Sequence, residues 1–445
     1  MKGGVILFRG TGAAARRYLD SDRSTADEYY LEGGTALAEF VVSGHDGEVI
    51  ETRTLDPESY AAWVDWIDPI TGTSMGTPRA ASDRSKESPR FAEMVINAPK
   101  SLSIAAALHP EVSDALDAAQ RDAAEEIRRW LAEHSVTRVG RRNTREIVPV
   151  QQLQTVTVAH KTSRAGDPHR HIHFQIGTRV YAAGKWRALD TAALFKQQGA
   201  IRALGSAVIA AHPQLASVLD QHGLTLDSAT GEVAELEPFN AVMSKRGAQV
   251  ERNLARFEAE WETAHPGEEP GPVVRARLKA KAWEHERPGK KPAVLGSEAG
   301  WRAELEDAGY TPNLHRARRA APVALDDLHI EEIASRALDR CAAGASAWTV
   351  HTVREHVTRI TTEHGVQAAP RELREFVQLA TQLAAEDCFS VLPPGGSTPE
   401  HVAHLTSLRV VAVEMELRDL LTARAEQTRR CMPDVHDLAI RAGAG

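Results

Sequence analysis

The stretch HKTSRAGDPHRHIHFQI, residues 160–176, decides the fold prediction, because it places four histidines on and beside a predicted strand. Alternate residues of a strand point to the same face, so His169, His171 and His173 share one face. The outer two would lie about 13 Å apart along the strand. They cannot share one ion, because a metal–nitrogen bond is about 2.1 Å long. An adjacent pair with a histidine from a neighbouring strand is therefore the workable ligand set.

The loop before this strand contains the turn sequence Gly166-Asp167-Pro168, which predicts that the chain folds back as a hairpin. His160 ends the preceding segment and would then lie beside the start of the strand. Pro168 makes His169 an entry residue, so the predicted ligands are His160, His171 and His173. Three neutral imidazoles leave coordination positions open, which is typical of a catalytic site. Such a site admits zinc, manganese, cobalt or nickel, and magnesium if a substrate phosphate completes the shell.

The charge of the chain is unevenly distributed. The 445 residues hold 53 Lys and Arg against 61 Asp and Glu, a net charge of −8, which argues against a protein that coats nucleic acid by bulk charge. Only 5% of the residues are aromatic, so generic base stacking is not the main device. Residues 136–200, however, carry a net charge of +8, and the rest of the chain carries −16. A nucleic-acid role would have to be local to that block.

The cysteines and the hydropathy indicate a soluble cytoplasmic protein. The three cysteines, at positions 341, 388 and 431, suit neither a disulfide framework nor a CxxC metal site. No stretch approaches the roughly 18 apolar residues of a membrane span, so no membrane insertion is expected.

Secondary-structure signals predict an α+β protein with a smaller, mostly helical C-terminal region. FAEMVIN (91–97) alternates as a strand, and the Ala-rich run that follows has helical spacing broken near Pro110. TRVGRRNTRE (137–146) predicts a hairpin with a basic turn, and Pro238 is expected to open a long helix. The predicted division is a first domain at 1–290, a linker at 291–324 and a helical region at 325–445.

Four segments together resemble the conjugative relaxases of the MobF class, the TrwC-like branch of the HUH endonucleases. They are a tyrosine cluster, an acidic strand running into NAPKSLS (97–103), His160 followed eleven and thirteen residues later by two more histidines, and MSKR (243–246). The tyrosine cluster contains Tyr18 and the pair Tyr29-Tyr30. The resemblance covers about residues 1–290.

The resemblance implies a five-stranded antiparallel sheet that carries a three-histidine metal site on its face. It also implies cleavage of single-stranded DNA at an origin of transfer through a 5′-phosphotyrosine. Tyr18 would be the first nucleophile, and Tyr29 or Tyr30 the second. Glu93 takes the position of the family's strand acid, which is usually Asp. The cofactor would be a divalent ion, magnesium or manganese, with zinc, nickel and cobalt as alternatives.

The DNA contacts expected from the resemblance combine a helix start with basic residues. Backbone amides and a lysine at a helix start suit a DNA phosphate. The expected contact residues are Lys100, Ser101, Arg138, Arg141, Arg142, Arg164, Lys245 and Arg246. The implied partners are single-stranded DNA at an origin of transfer, relaxosome accessory proteins and a coupling protein.

Other functions are compatible with parts of this pattern. A rolling-circle replication initiator of the HUH type would share the histidines and the tyrosine, and an inactive DNA-binding relative would keep the fold alone. A zinc hydrolase of small molecules would need neither the tyrosine cluster nor the basic block. Larger relaxases carry a helicase, but no G-x-x-x-x-G-K motif followed by Ser or Thr occurs here, so no ATP hydrolysis is expected. The region 325–430 resembles the segment that joins relaxase to helicase.

Overall fold

The structure is a computed structural model that describes residues 4–21, 38–82, 86–141, 145–163, 165–286, 298–312, 322–393 and 398–431, without the side chains of 18–21 and 428–431. Within these residues the strands are β1 Ile6–Phe8, β2 Ala38–Gly44, β3 Val49–Leu55, β4 Phe91–Asn97, β5 Val136–Val139, β6 Glu146–Pro149, β7 Gln152–Thr162, β8 Pro168–Gly177, β9 Arg179–Ala182, β10 Lys185–Ala188, β11 Phe389–Ser390 and β12 Leu405–Thr406.

The α-helices of the same described residues are α1 Gly12–Ser21, α2 Pro57–Val64, α3 Lys100–Leu108, α4 Pro110–His134, α5 Thr191–Ala210, α6 Pro213–Gln221, α7 Lys245–Ala264, α8 Pro272–Glu284, α9 Glu298–Asp307, α10 Ile330–Gly344, α11 Val350–Glu363, α12 Pro370–Glu386 and α13 Leu408–Cys431. None of these helices is long and apolar enough to cross a membrane.

The main sheet is antiparallel, and its strands lie in the order β1-β4-β8-β7-β2-β3. The hairpin β9-β10 joins it through β7, while β5 and β6 form a separate hairpin. The predicted α+β class is confirmed. The described sheet has eight strands, six of them along one continuous path, where the resemblance implied five.

The two faces of the sheet are covered by different helices. One face carries Phe40, Val156 and Val158, which pack with Tyr60 and Trp63 of α2 in one apolar cluster. The other face carries Ile172, Phe174 and Ile176 and lies against α3 and α4. Strand β8 is therefore buried on both sides, which restricts its sliding and fixes the direction of its side chains.

A buried ion pair on the second face anchors β8 to α4. Arg170 donates to both carboxylate oxygens of Asp117, at 2.8 and 2.9 Å, and to the hydroxyl of Ser113 at 2.6 Å. The backbone amide of Arg170 also donates to Ser103 of α3. The strand segment between the histidines is thus tied to two helices by directional contacts.

Two local predictions are confirmed and one is wrong. The β5-β6 hairpin forms, and the helical run breaks at His109, before Pro110 opens α4. Pro238 does not open a long helix. It lies in a 3-10 turn, Glu237–Phe239, and the long helix α7 begins only at Lys245.

The chain contacts divide the protein into two compact units. The first contains Met1–Leu328 and Thr358–Val377, and the second contains His329–Val357 and Gln378–Gly445. In the second unit, Trp348 is buried and its backbone exchanges hydrogen bonds with Leu405 of β12. The three-part division predicted from the sequence stays a prediction.

Candidate metal centre and tyrosine helix

Strand register brings the three predicted ligand histidines together. His160 of β7 lies directly opposite His171 of β8, and His173 lies opposite Val158. Residues that face each other across antiparallel strands share a face, so the three imidazoles lie on the side covered by α2. All three side chains are buried, with at most 9% exposure. The register shifts just beyond His160, where the loop between the two strands begins.

The three rings have the spacing of a shared ion site. Their centroids are 5.4 Å apart for His160 and His171, 5.2 Å for His160 and His173, and 5.1 Å for His171 and His173. Three imidazoles bound to one tetrahedral ion have centroids about 5 Å apart, since each metal–nitrogen bond is about 2.1 Å. Residue type and spacing therefore fit a divalent ion.

The ring orientations do not yet match a bound ion. Among the described residues, no three His, Cys, Asp or Glu side chains are positioned to hold a metal ion as they stand. The rings of His160 and His171 are nearly parallel, with an interplanar angle of 24°, so their nitrogens do not aim at a common point from opposite sides. Ion binding would therefore require rotation of the imidazole rings.

The neighbours of two histidines select the ring nitrogen that faces the site. Nδ1 of His171 lies 2.8 Å from the carbonyl oxygen of His169, and Nδ1 of His173 lies 3.2 Å from Oε1 of Glu93. The contact of His171 is a hydrogen bond to a carbonyl, which can only accept, so the proton of His171 is on Nδ1 and its lone pair is on Nε2. The carboxylate beside Nδ1 of His173 favours the same tautomer. Partners of this kind fix the tautomer and orientation of metal-binding histidines.

Burial favours the neutral imidazole at His169 and His171. Burial, together with the neighbouring histidines, lowers the pKa of His171 well below its usual value. Burial and the charge of Lys100 lower the pKa of His169 to about 3. Neutral imidazole is the form that binds metals, so these side chains need no deprotonation near neutral pH.

Helix α1, which carries Tyr18, packs on the same face as the histidines. Its Ala15 belongs to the apolar cluster of α2, and the backbone N–H of Gly12 donates to Asp65 at 3.0 Å. A Cβ atom on Gly12 would lie 2.0 Å from the carbonyl oxygen of Ala61, so only glycine allows this close approach to α2. The side chain of Tyr18 is outside the description, as are residues 22–37, which include Tyr29 and Tyr30.

Glu93 is buried beside the histidines at 6% exposure. Besides its contact with His173, its Oε2 accepts a hydrogen bond of 3.0 Å from Nε2 of Gln175. The sequence analysis missed Gln175, although its position two residues after His173 places it on the same face.

The loop between the histidine strands is held by the start of α7. Asp167, with 1% exposure, accepts a hydrogen bond of 2.9 Å from the backbone N–H of Lys245 and lies 3.2 Å from its ammonium group. Although burial opposes the charge of Lys245, the carboxylates of Glu304 and Asp167 raise its pKa. Trp301 donates to the carbonyl of Gly166 from α9. The sequence showed Asp167 only as a turn residue.

Lys100 also contacts this loop. Its ammonium donates to the carbonyl oxygen of Pro168 at 2.8 Å. Burial, opposed by Asp167 and reinforced by Lys245, lowers the pKa of Lys100 to about 8. A half-buried ammonium beside the histidine strand suits a phosphate oxygen.

Two residues expected to contact DNA instead make internal contacts. Ser101 has no exposed surface, and its hydroxyl donates to Glu232 while it accepts from the backbone N–H of Val233, each at 2.6 Å. Arg246 is buried and stacks over the ring of Trp283, 5.4 Å from its centroid. Both side chains fasten their helix starts to neighbouring segments, and neither is presented to solvent.

The hairpin β5-β6 presents the accessible basic side chains. Arg138 is 50% exposed and pairs with Asp190 at 2.7 Å, while Arg141 is exposed beside the turn. Arg142 and Arg164 lie outside the described residues.

An antiparallel sheet with three clustered histidines on one face, over which a tyrosine-bearing helix packs, is the arrangement that the resemblance to relaxases of the HUH class predicts. The family model described as TrwC relaxase matches residues 12–308, well over half of the chain. The chain belongs to the TrwC relaxase family.

Solved structures of similar fold include three of TrwC. The complex with a 27-mer DNA comprising the recognition hairpin and the cleavage site shares 20% identity and a TM-score of 0.47, covering 69% of this chain and 99% of that one. The metal-bound complex of TrwC with oriT DNA is 21% identical in sequence, with a TM-score of 0.47, and the match covers 69% of this chain and 99% of that one. The metal-free complex is 21% identical in sequence, with a TM-score of 0.45, and the match covers 69% of this chain and 98% of that one. Comparison with curated proteins gives no match.

Proposed function

We propose that this member of the TrwC family is a metal-dependent, site- and strand-specific DNA relaxase that nicks and rejoins one strand at an origin of transfer. The observation that carries the proposal is the triangle of buried imidazoles, 5.1 to 5.4 Å apart, on the face over which the Tyr18 helix packs. Metal ligands and a nucleophile on one face are what phosphodiester transesterification requires.

Tyr18 is the proposed first nucleophile. Its oxygen forms a bond to the scissile phosphorus while the bond to the 3′ oxygen breaks, and that oxygen leaves as a 3′-hydroxyl after gaining a proton. The product is a 5′-phosphotyrosine, which conserves the phosphodiester bond energy for rejoining. Tyr29 or Tyr30 is the proposed nucleophile of the second strand transfer. A tyrosine hydroxyl has a pKa near 10 and needs direction or deprotonation to react.

His160, His171 and His173 are the proposed ligands of a divalent ion, magnesium or manganese, with zinc, nickel and cobalt as alternatives. The bound ion supplies charge neutralisation at the scissile phosphate. Oε1 of Glu93 lies 3.2 Å from Nδ1 of His173, which favours a proton on Nδ1 and leaves the lone pair of Nε2 for the proposed ion.

Single-stranded DNA is the proposed substrate, and its backbone is gripped near the histidine strands. Arg138 and Arg141 on the β5-β6 hairpin and Lys100 beside the loop supply positive charge. Arg142 and Arg164 belong to the same basic block. Relaxosome accessory proteins and a coupling protein are the proposed protein partners, in the cytoplasm where the DNA substrate lies.

The test is formation of a covalent protein–DNA adduct. The full chain is incubated with single-stranded oligonucleotides that tile the transfer and replication origins of its own element, with magnesium or manganese, and resolved by denaturing electrophoresis. An adduct is expected with a transfer-origin oligonucleotide and is lost in Tyr18→Phe and with EDTA. Tyr181→Phe, on strand β9, is the matched control and should keep the adduct.

Four results would contradict parts of the proposal. An adduct that persists in Tyr18→Phe and disappears only when Tyr29 and Tyr30 are both changed would refute the nucleophile assignment. An adduct confined to replication-origin DNA would indicate a rolling-circle initiator. Tight DNA binding without an adduct under any metal would indicate an inactive relative. Full activity of a His171→Ala, His173→Ala double variant would refute the metal mechanism.

A further inference from the structure

A buried chain of polar side chains leads from the candidate metal centre to helix α2. The hydroxyl of Tyr60 donates to Oε1 of Gln175 at 3.0 Å, and Nε2 of Gln175 donates to Oε2 of Glu93 at 3.0 Å. The other carboxylate oxygen of Glu93 lies 3.2 Å from Nδ1 of His173. The chain therefore runs from Tyr60 through Gln175 and Glu93 to His173.

Each member of this chain is placed by the fold. Glu93 and Gln175 face each other across β4 and β8, and His173 precedes Gln175 by two residues on the same face. Tyr60 reaches down from α2, which covers that face. The exposures are 2% for Tyr60, 0% for Gln175 and 6% for both Glu93 and His173. Because water has little access, these contacts depend on one another.

The two hydrogen bonds of Gln175 determine the orientation of its amide group and, through it, that of the Glu93 carboxylate. The carbonyl of Gln175 accepts from Tyr60 while its amino group donates to Glu93, and a flip of the amide would place its carbonyl oxygen against the Glu93 carboxylate, which can only accept. The carboxylate of Glu93 is consequently held with Oε2 toward Gln175 and Oε1 toward the imidazole. Without Gln175, that carboxylate would be held at one oxygen only.

We propose that Gln175 and Tyr60 are positioning residues for His173, which act through the carboxylate of Glu93 to favour the tautomer with a proton on Nδ1, so that the lone pair that binds a metal ion is on Nε2. The inference rests on the metal site of the proposed function. It extends that site to a glutamine and a helix tyrosine that bear neither charge nor metal-binding nitrogen. It also assigns α2 a role in the site, in addition to its apolar packing.

The neighbouring strand supplies a matched control. Nε1 of Trp63, also on α2, donates to Oε1 of Gln154 at 3.1 Å, and Nε2 of Gln154 donates to Asp68 at 3.0 Å. Gln154 has 1% exposure and lies on β7. It links an α2 aromatic side chain to a carboxylate, as Gln175 does, but its chain ends at Asp68, away from the histidines.

The experiment compares metal binding by the full chain carrying Gln175→Met, Tyr60→Phe or Gln154→Met. Methionine keeps the approximate volume of glutamine and removes its hydrogen bonds. Manganese affinity is measured by competition with a chelator, and the visible absorption of added cobalt reports ligand geometry independently of nicking. Thermal unfolding of the metal-free proteins measures the structural cost of each substitution.

We expect Gln175→Met to weaken manganese binding about tenfold and to change the cobalt spectrum, as loss of an outer partner of a metal histidine does. Tyr60→Phe, which removes one hydroxyl, should weaken binding about threefold in the same direction. Gln154→Met should bind as the wild type does, although its melting temperature falls as in Gln175→Met. Saturating metal should restore adduct formation by Gln175→Met, since this residue does not touch the DNA.

The outcomes separate this inference from the proposed function. If the wild type binds metal but Gln175→Met and Tyr60→Phe bind it as Gln154→Met does, the positioning role is refuted and the metal site stands. If equal losses of affinity occur in Gln175→Met and Gln154→Met, the effect is general destabilisation and the inference is likewise refuted. A wild type that binds no metal would overturn both.

Discussion

Replacement of Asp167 tests whether a single buried carboxylate holds the loop between the histidine strands. Asp167→Ala removes a hydrogen bond from the carboxylate to the backbone N–H of Lys245, which contributes about 1.5–3 kcal/mol when one partner is charged. It also removes the contact with the ammonium of Lys245, which is 42% exposed and therefore adds less than about 1 kcal/mol. The expected loss is about 3 kcal/mol at the start of α7. Asp167→Asn keeps an acceptor and should lose about 1 kcal/mol.

Hydrogen exchange measured by mass spectrometry on the full chain resolves this effect locally. A loss of about 3 kcal/mol accelerates exchange in the first turn of α7 more than a hundredfold, since each 1.4 kcal/mol is about a factor of ten. Asp190→Ala is the matched control, because Asp190 also caps a helix and pairs with a basic side chain. It should expose the first turn of α5 and leave α7 protected. Exchange at residues 245–248 that rises less than fivefold in Asp167→Ala would refute the reasoning.

Other predictions concern stability, pH and DNA. Arg374→Met should lower the free energy of unfolding, measured by urea titration, by about 3 kcal/mol, because the buried carboxylate of Glu126 loses its ion-pair partner. Burial already raises the pKa of Glu126. A loss below about 1 kcal/mol would contradict this prediction. Burial and the neighbouring His222 lower the pKa of His109 to about 4 from 6.5, so acidification between these values protonates only the unfolded chain and stability falls. His109→Gln should therefore lose less stability between pH 7 and 5 than the wild type, and an equal loss would contradict the assignment. Arg141→Ala should make the slope of log K against log salt for single-stranded DNA binding shallower by about 0.7, because one phosphate contact is lost. An unchanged slope would show that Arg141 does not contact the DNA backbone.

The histidine face could be predicted because its information is local. Alternation along residues 169–173 sets the shared face, and the Gly-Asp-Pro turn sets the hairpin that brings His160 opposite His171. The ring orientations could not be predicted, because they depend on the surrounding contacts as well as on strand register.

The sequence-based predictions were wrong or incomplete where contacts between residues far apart in the sequence determine the structure. Pro238 has the local signal of a helix start, yet α7 begins at Lys245, where Asp167, 78 residues earlier, supplies the acceptor for a first-turn amide. Tyr60 and Gln175 are separated by 115 positions, and no spacing rule relates them. Strands β2 and β3 were not predicted from the sequence, and they are defined by the pairing of β2 with β7 on one side and with β3 on the other.

Gly12 determines how closely helix α1, which carries Tyr18, approaches α2. Because Gly12 has no Cβ, α1 can lie directly against the carbonyl of Ala61. Tyr18 lies six residues, about 9 Å, further along the same helix. A methyl group at position 12 would push α1 away from α2 by about 1 Å. For the proposed nucleophile Tyr18, such a displacement can lower the reaction rate about a hundredfold, because the reacting atoms must meet in line. The position of Tyr18, the proposed nucleophile, thus depends on the absence of a side chain at the N-terminal end of its helix.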